Sequence, residues 1–107
     1  MKLKTVCCDT LTKWLASDDE IAIVDIRDQD TFNAGHIPGA RQFDSLAFRT
    51  FAQKADRDTP MVIICYRGRT SRNAGMWLVA EGFTHVYSLE GGMNAWREHT
   101  PDCIEQG

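Results

Sequence analysis

Two nearly continuous apolar runs, Ile21-Ala22-Ile23-Val24-Asp25-Ile26 and Met61-Val62-Ile63-Ile64-Cys65, restrict the possible folds of this chain more than any other feature. A strand with one face in water alternates apolar and polar residues, whereas a strand covered on both faces reads as an unbroken, β-branched stretch. Covering both faces takes helices above and below, and helices joining strand to strand make those strands parallel. The remaining segments supply the alternation. Leu3 to Cys7 suits a short strand, and Asp9 can cap a helix through Ala16 with Leu11, Trp14 and Leu15 at helical spacing, broken by Ser17-Asp18-Asp19. Asp28 to Ala34 suits a short helix closed by Gly35, Ala40 to Phe43 a short strand, and Ser45 can cap a helix to about Ala55. A helix from Thr70 to Glu81 stopped by Gly82, a strand His85 to Leu89 and a last helix from Gly91-Gly92 complete the pattern. The expected fold is α/β, a three-layer α/β/α sandwich around a mainly parallel five-stranded sheet, with functional loops at the sheet's carboxyl edge.

At 107 residues, with 43% hydrophobic and 25% charged residues, the chain can bury a core without metal or disulfide staples, so residues 1–107 are expected to form one domain. No run of about 18 apolar residues exists to span a membrane, and Met1-Lys2-Leu3-Lys4 lacks the apolar stretch of a signal peptide. A cytoplasmic location with reduced thiols follows as the expectation for the four cysteines. No Cys-x-x-Cys pair occurs, and His36, His85 and His99 are not spaced as ligands, so no metal and no organic cofactor are expected. A net charge of −3 gives no general basic surface for nucleic acid.

Against that acidic background Arg67, Arg69 and Arg72 fall within seven residues of Cys65, which sits where a strand turns into a helix. A thiol there faces the first N–H groups of a helix, and both the dipole and the cations favour a thiolate and an anionic substrate. A lone cysteine at a strand end is usually only a small hydrophobe. Gly68 reverses that reading, because a left-handed residue lets a tight loop turn its N–H groups inward, which packing alone does not need. Arg67 and Arg69 alternate along the loop and are expected to face a ligand; Arg72 is expected to face solvent or a carboxylate. Trp14, Trp77 and Trp96 recur among apolar neighbours and are expected to close the core. Cys7 and Cys8 are expected to point to opposite faces, at most one of them exposed, and Cys103 to be exposed in a polar tail.

Three blocks together resemble the rhodanese family of sulfurtransferases in its single-domain form. They are Val24-Asp25-Ile26-Arg27 with Gly35-His36-Ile37-Pro38-Gly39-Ala40, Cys65-Tyr66-Arg67-Gly68-Arg69-Thr70-Ser71, and Tyr87 to Trp96. The resemblance covers nearly the whole chain. It implies a rhodanese-like fold in which Cys65 attacks the outer sulfur of thiosulfate, releases sulfite and carries a persulfide to a second nucleophile. It further implies that Tyr66, Arg67, Gly68, Arg69, Thr70 and Ser71 bind the small anionic donor, and that Asp25, Arg27 and His36 support the site. Cyanide, a thiol or a small redox protein would be the acceptor. Two departures stand out. Thr31 replaces a common Glu, which leaves Arg27 needing another partner, and Thr70 replaces an Arg, as in the thiosulfate-specific subgroup, where a hydroxyl can bond sulfur.

Cell-cycle phosphatases and arsenate reductases share such a fold, but they place an arginine sixth after the cysteine to grip phosphoryl oxygens. Here that residue is Ser71, and Arg72 comes one position late. A persulfide carrier fed by a protein donor and a partner-binding module are the other readings. The module reading sits poorly with a cysteine kept in a cationic loop.

Overall fold

The computed structural model describes residues 3–17 and 20–107. In chain order the elements are β1 (Lys4–Val6), α1 (Cys8–Ala16), β2 (Ala22–Asp25), α2 (Gln29–Ala34), β3 (Arg41–Gln42), α3 (Ser45–Lys54), β4 (Met61–Ile64), α4 (Thr70–Ala80), β5 (Val86–Leu89) and α5 (Gly92–His99). The five strands form one sheet in the order β1-β5-β4-β2-β3, and every neighbouring pair is parallel. All carboxyl ends therefore share one edge. The chain leaves β2 towards β3 and leaves β4 towards β5, in opposite directions along the sheet, so the loops after β2 and β4 part at the middle of that edge. A crevice at such a switch point is the standard ligand position in open parallel sheets.

β4 lies at the centre and is buried throughout. Its side chains alternate between two cores. Val62 and Ile64 pack with Leu11 of α1 and with Met93 and Trp96 of α5. Met61 and Ile63 pack with Phe48 and Ala52 of α3 and Leu78 of α4. This is the expected three-layer arrangement, and the apolar runs were continuous because each strand feeds both cores. Trp96 is fully buried and donates its indole N–H to Cys103 O at 2.9 Å, while Trp14 and Trp77 are half-buried against Tyr87 and Phe48.

Two caps differ from expectation. Cys7, not Asp9, precedes the first helix, and Asp9 lies inside the first turn, where its charge still complements the helix dipole. Asp44, not Ser45, caps α3, its carboxylate accepting from Ala47 N at 2.8 Å, because an ionised acceptor outbids a neighbouring hydroxyl for the same N–H. Asp28 caps α2 in the same way through Thr31 N, at 3.1 Å. Asp18 and Asp19 of the expected helix break lie outside the described residues; Ser17 ends α1.

Candidate active site

Cys65 is the first residue beyond β4, and only 4% of it is exposed. The loop curls so that the N–H groups of Gly68 and Ser71 point at its sulfur, at 3.1 and 3.3 Å. Gly68 makes the curl possible with φ +87°, and a Cβ there would come within 3.1 Å of Leu89 O. The carbonyls turn the other way because α5 holds them: Met93 N donates to Cys65 O at 2.8 Å and Asn94 N to Tyr66 O at 3.0 Å. Donors left over at the start of α5 thus fix the loop that begins α4. Gly92 allows this approach. A Cβ on it, at φ +58°, would sit 2.5 Å from Cys65 O.

The sulfur feels two opposed influences. Burial pushes the thiol pKa up, and the hydroxyl and N–H of Ser71 with the N–H groups of Gly68 and Arg67 together push it down by more, so it lies below the ordinary thiol value. The thiol donates to Ser71 Oγ at 3.2 Å, and Ser71 Oγ shares a hydrogen with Ser88 Oγ at 2.6 Å. Ionisation reverses the chain: Ser88 then donates to Ser71, and Ser71 donates to the thiolate. The hydroxyl on the Cys65 sulfur is therefore Ser71, and Thr70 is exposed at the start of α4. Arg67, Arg69 and Arg72 are all exposed, and the groups on the sulfur are backbone N–H and hydroxyl. A loop that curls its amides inward turns its side chains outward.

The supporting block is buried. Asp25 and Arg27 form a two-pronged ion pair, with Nη2 to Oδ2 at 2.7 Å and Nε to Oδ1 at 2.9 Å, both side chains fully shielded. Arg27 Nη2 also donates to Gly35 O at 2.8 Å, which ties β2 to the turn after α2. Arg27 Nη1 is buried without a hydrogen-bond partner. His36 stacks on Phe32 at 3.9 Å between centroids, and its Nδ1 meets Phe32 O at 2.9 Å, so it serves the turn rather than the sulfur. One contact was not foreseen: Tyr66 OH donates to Asp28 Oδ1 at 2.6 Å and lies 3.1 Å from Thr31 Oγ1. The Tyr66 hydroxyl, with the hydroxyl and N–H of Thr31, holds the Asp28 carboxyl down to about 2.

Residues 8–99 match the rhodanese-like domain family. The chain belongs to that family. Thiosulfate sulfurtransferase GlpE of Pseudomonas fluorescens (strain SBW25) is 46% identical over 85 residues, 79% of this chain and 78% of that protein. The rhodanese-like domain of an Anabaena sp. protein superposes with a TM-score of 0.84 over 100% of this chain and 81% of that one; at 23% identity it is a likeness of fold. A rhodanese-like domain protein from Staphylococcus aureus gives 0.81 at 26% identity over 97% and 98% of the two chains.

Within this rhodanese-like frame Ser88 and Asp28 are the participants that sequence reasoning missed. Ser88 left one signal, a hydroxyl inside the otherwise apolar strand Val86–Leu89. All four cysteines are free thiols: Cys7 is exposed, Cys8 buried, Cys103 half-buried rather than exposed. Cys7 and Cys8 do diverge, though as a helix cap and a first helical residue rather than as strand neighbours. Among the described residues no group of three or more His, Cys, Asp or Glu is placed to hold a metal ion, and no helix is long and apolar enough to cross a membrane.

Proposed function

We propose that residues 1–107 act as a single cytoplasmic rhodanese-like domain that moves the outer sulfur of thiosulfate through a Cys65 persulfide to a thiol or cyanide. The observation that carries this reading is the sulfur of Cys65 held by two N–H groups and a hydroxyl in a family with relatives named thiosulfate sulfurtransferase. The Cys65 thiolate attacks the outer sulfur, the sulfur–sulfur bond of thiosulfate breaks, and sulfite leaves with the electron pair; charge is conserved. An acceptor anion then attacks the outer sulfur of the persulfide and returns the electron pair to Cys65. In this second step the Gly68 and Ser71 N–H groups and the Ser71 hydroxyl stabilise the charge regained by sulfur, as preorganised donors do at a developing anion.

Tyr66, Arg67, Gly68, Arg69, Thr70 and Ser71 line the donor's approach, with the rim guanidinium groups of Arg67 and Arg69 drawing in its sulfonate end. Asp25, Arg27 and His36 fix the two neighbouring loops. A small thiol or a small redox protein is the cellular acceptor. The test is steady-state thiocyanate formation from thiosulfate and cyanide. Double-displacement kinetics, seen as parallel double-reciprocal lines and abolished in Cys65→Ser, is expected; undiminished activity in Cys65→Ser overturns the reading.

A further inference from the structure

A cleft of about 350 Å³ lies between α3 and the first turns of α4, walled by Ile26, Phe48, Thr70, Asn73, Ala74 and Trp77. This volume is at the small end of ligand sites, which run from about 300 to 1,000 Å³. The cleft and the sulfur are on the same side of the sheet. Strand alternation carries Cys65 to the face of Ile63, which packs against α3 and α4, and the sulfur's contact with Ser71 of α4 agrees. Ile26 stands beside Cys65 across the sheet, since Asp25 pairs with Ile64 and Ile26 N donates to Ile64 O at 3.0 Å. Thr70 immediately precedes the residue that touches the sulfur. Ile26 is thus the cross-strand neighbour of Cys65, and Thr70 precedes the residue bonded to its sulfur, so two walls of the cleft adjoin the segments that hold the thiol.

The charges of the cleft nearly cancel. Arg49 contributes one cation and Asp44 one anion, the latter already engaged by the Ala47 N–H. An anionic donor therefore gains nothing there, while a hydrocarbon body gains the surface of Phe48, Ala74, Trp77 and Ile26. We propose that this cleft is the acceptor subsite, and that it takes a small thiol with an aliphatic or aryl body, whose sulfur reaches the Cys65 persulfide past Ile26 and Thr70. The inference rests on the sulfurtransferase reading above and adds a division of labour: charged donor at the rim, apolar acceptor in the cleft. In the transfer, the acceptor thiolate bonds to the outer sulfur, the Cys65 sulfur–sulfur bond breaks with its electron pair returning to Cys65, and an alkyl persulfide leaves.

The test loads the protein with thiosulfate, desalts it and follows single-turnover discharge by intact mass, using 2-mercaptoethanol, 4-mercaptobutanol and 6-mercaptohexanol, with cyanide as reference. Discharge relative to cyanide is expected to rise with chain length, about fourfold for each methylene that becomes buried. Ala74→Phe, which fills the cleft, is expected to flatten the series when each rate is divided by that variant's own cyanide rate. A flat series in the unaltered protein, or a slope that survives Ala74→Phe, overturns the subsite. A protein that takes no sulfur at the loading step overturns the sulfurtransferase reading and this inference with it, so the two failures are told apart.

Discussion

Replacing Ser71 by alanine isolates the hydroxyl on the nucleophile. Around the Cys65 sulfur stand Gly68 N at 3.1 Å, Ser71 Oγ at 3.2 Å and Ser71 N at 3.3 Å, and alanine removes only the hydroxyl. A hydrogen bond to a charged group contributes about 1.5–3 kcal/mol. The neutral thiol also bonds Ser71 Oγ, at about 0.5–1.5 kcal/mol, so only the difference of roughly 1–1.5 kcal/mol moves the thiol pKa, upward by about one unit at 1.4 kcal/mol per unit. The direction follows from the bond's preference for the thiolate: without it, burial is less opposed and the neutral thiol gains. The assay is the rate of Cys65 alkylation by iodoacetamide against pH, with the site of labelling read by peptide mass so that exposed Cys7 does not contribute. The variant's midpoint should move up, its rate at neutral pH should fall by up to about tenfold, and the two proteins should converge at high pH. Ser88, 1% exposed, loses its partner at the same time, which costs about 1–3 kcal/mol of stability. Ser71→Ala with Ser88→Ala should recover that stability without recovering the low midpoint. A folded Ser71→Ala protein with an unchanged midpoint refutes the assignment of the hydroxyl as the stabiliser of the thiolate.

Gly92→Ala puts a Cβ 2.5 Å from Cys65 O at φ +58°, so it should lower stability by at least about 1–3 kcal/mol in urea unfolding and slow Cys65 alkylation; a neutral result contradicts the packing of α5 on the loop. Asp25→Ala leaves the buried guanidinium of Arg27 unpaired and should cost about 3–5 kcal/mol by the same method, whereas a loss below about 1 kcal/mol denies that the pair holds the two loops. Tyr66→Phe removes one of three bonds on Asp28, whose carboxyl then titrates above its present value of about 2 and nearer the ordinary 3.8; an unmoved carboxyl signal in an NMR titration shows that the clasp is not formed. In the parent the stabilisation from the Asp28 carboxylate is in place once pH exceeds the ordinary carboxylate range and is lost as pH falls through about 2.

The sheet was legible because its signal is redundant. β2 and β4 serve two cores, so nearly every side chain in them is apolar, and β5 pairs beside them with the same period. Helix starts were less legible wherever two residues in a row can cap, as at Asp44 and Ser45, and there the ionised one prevailed. The place of Cys65 at a strand-to-helix turn, with Gly68 curling the loop, was legible because both are local features. That Ser71 is the hydroxyl on the Cys65 sulfur was not legible, because it depends on the face the first turn of α4 presents to β5 and on the contact with Ser88, 17 residues away. The Tyr66–Asp28 bond joins residues 38 apart through the meeting of the β2 and β4 loops, a juxtaposition that no local spacing encodes. The Arg67 and Arg69 side chains are exposed, and the bonds on the Cys65 sulfur come from Gly68 and Ser71, which a count of arginines does not anticipate.

The central claim is that Cys65 carries sulfur as a persulfide. Intact mass after incubating the reduced protein with thiosulfate and desalting tests it most directly, beside Cys65→Ser. A gain of about 32 Da in the parent alone, discharged by cyanide with release of thiocyanate, is the predicted result. An equal gain in Cys65→Ser, or no gain in the parent, contradicts it.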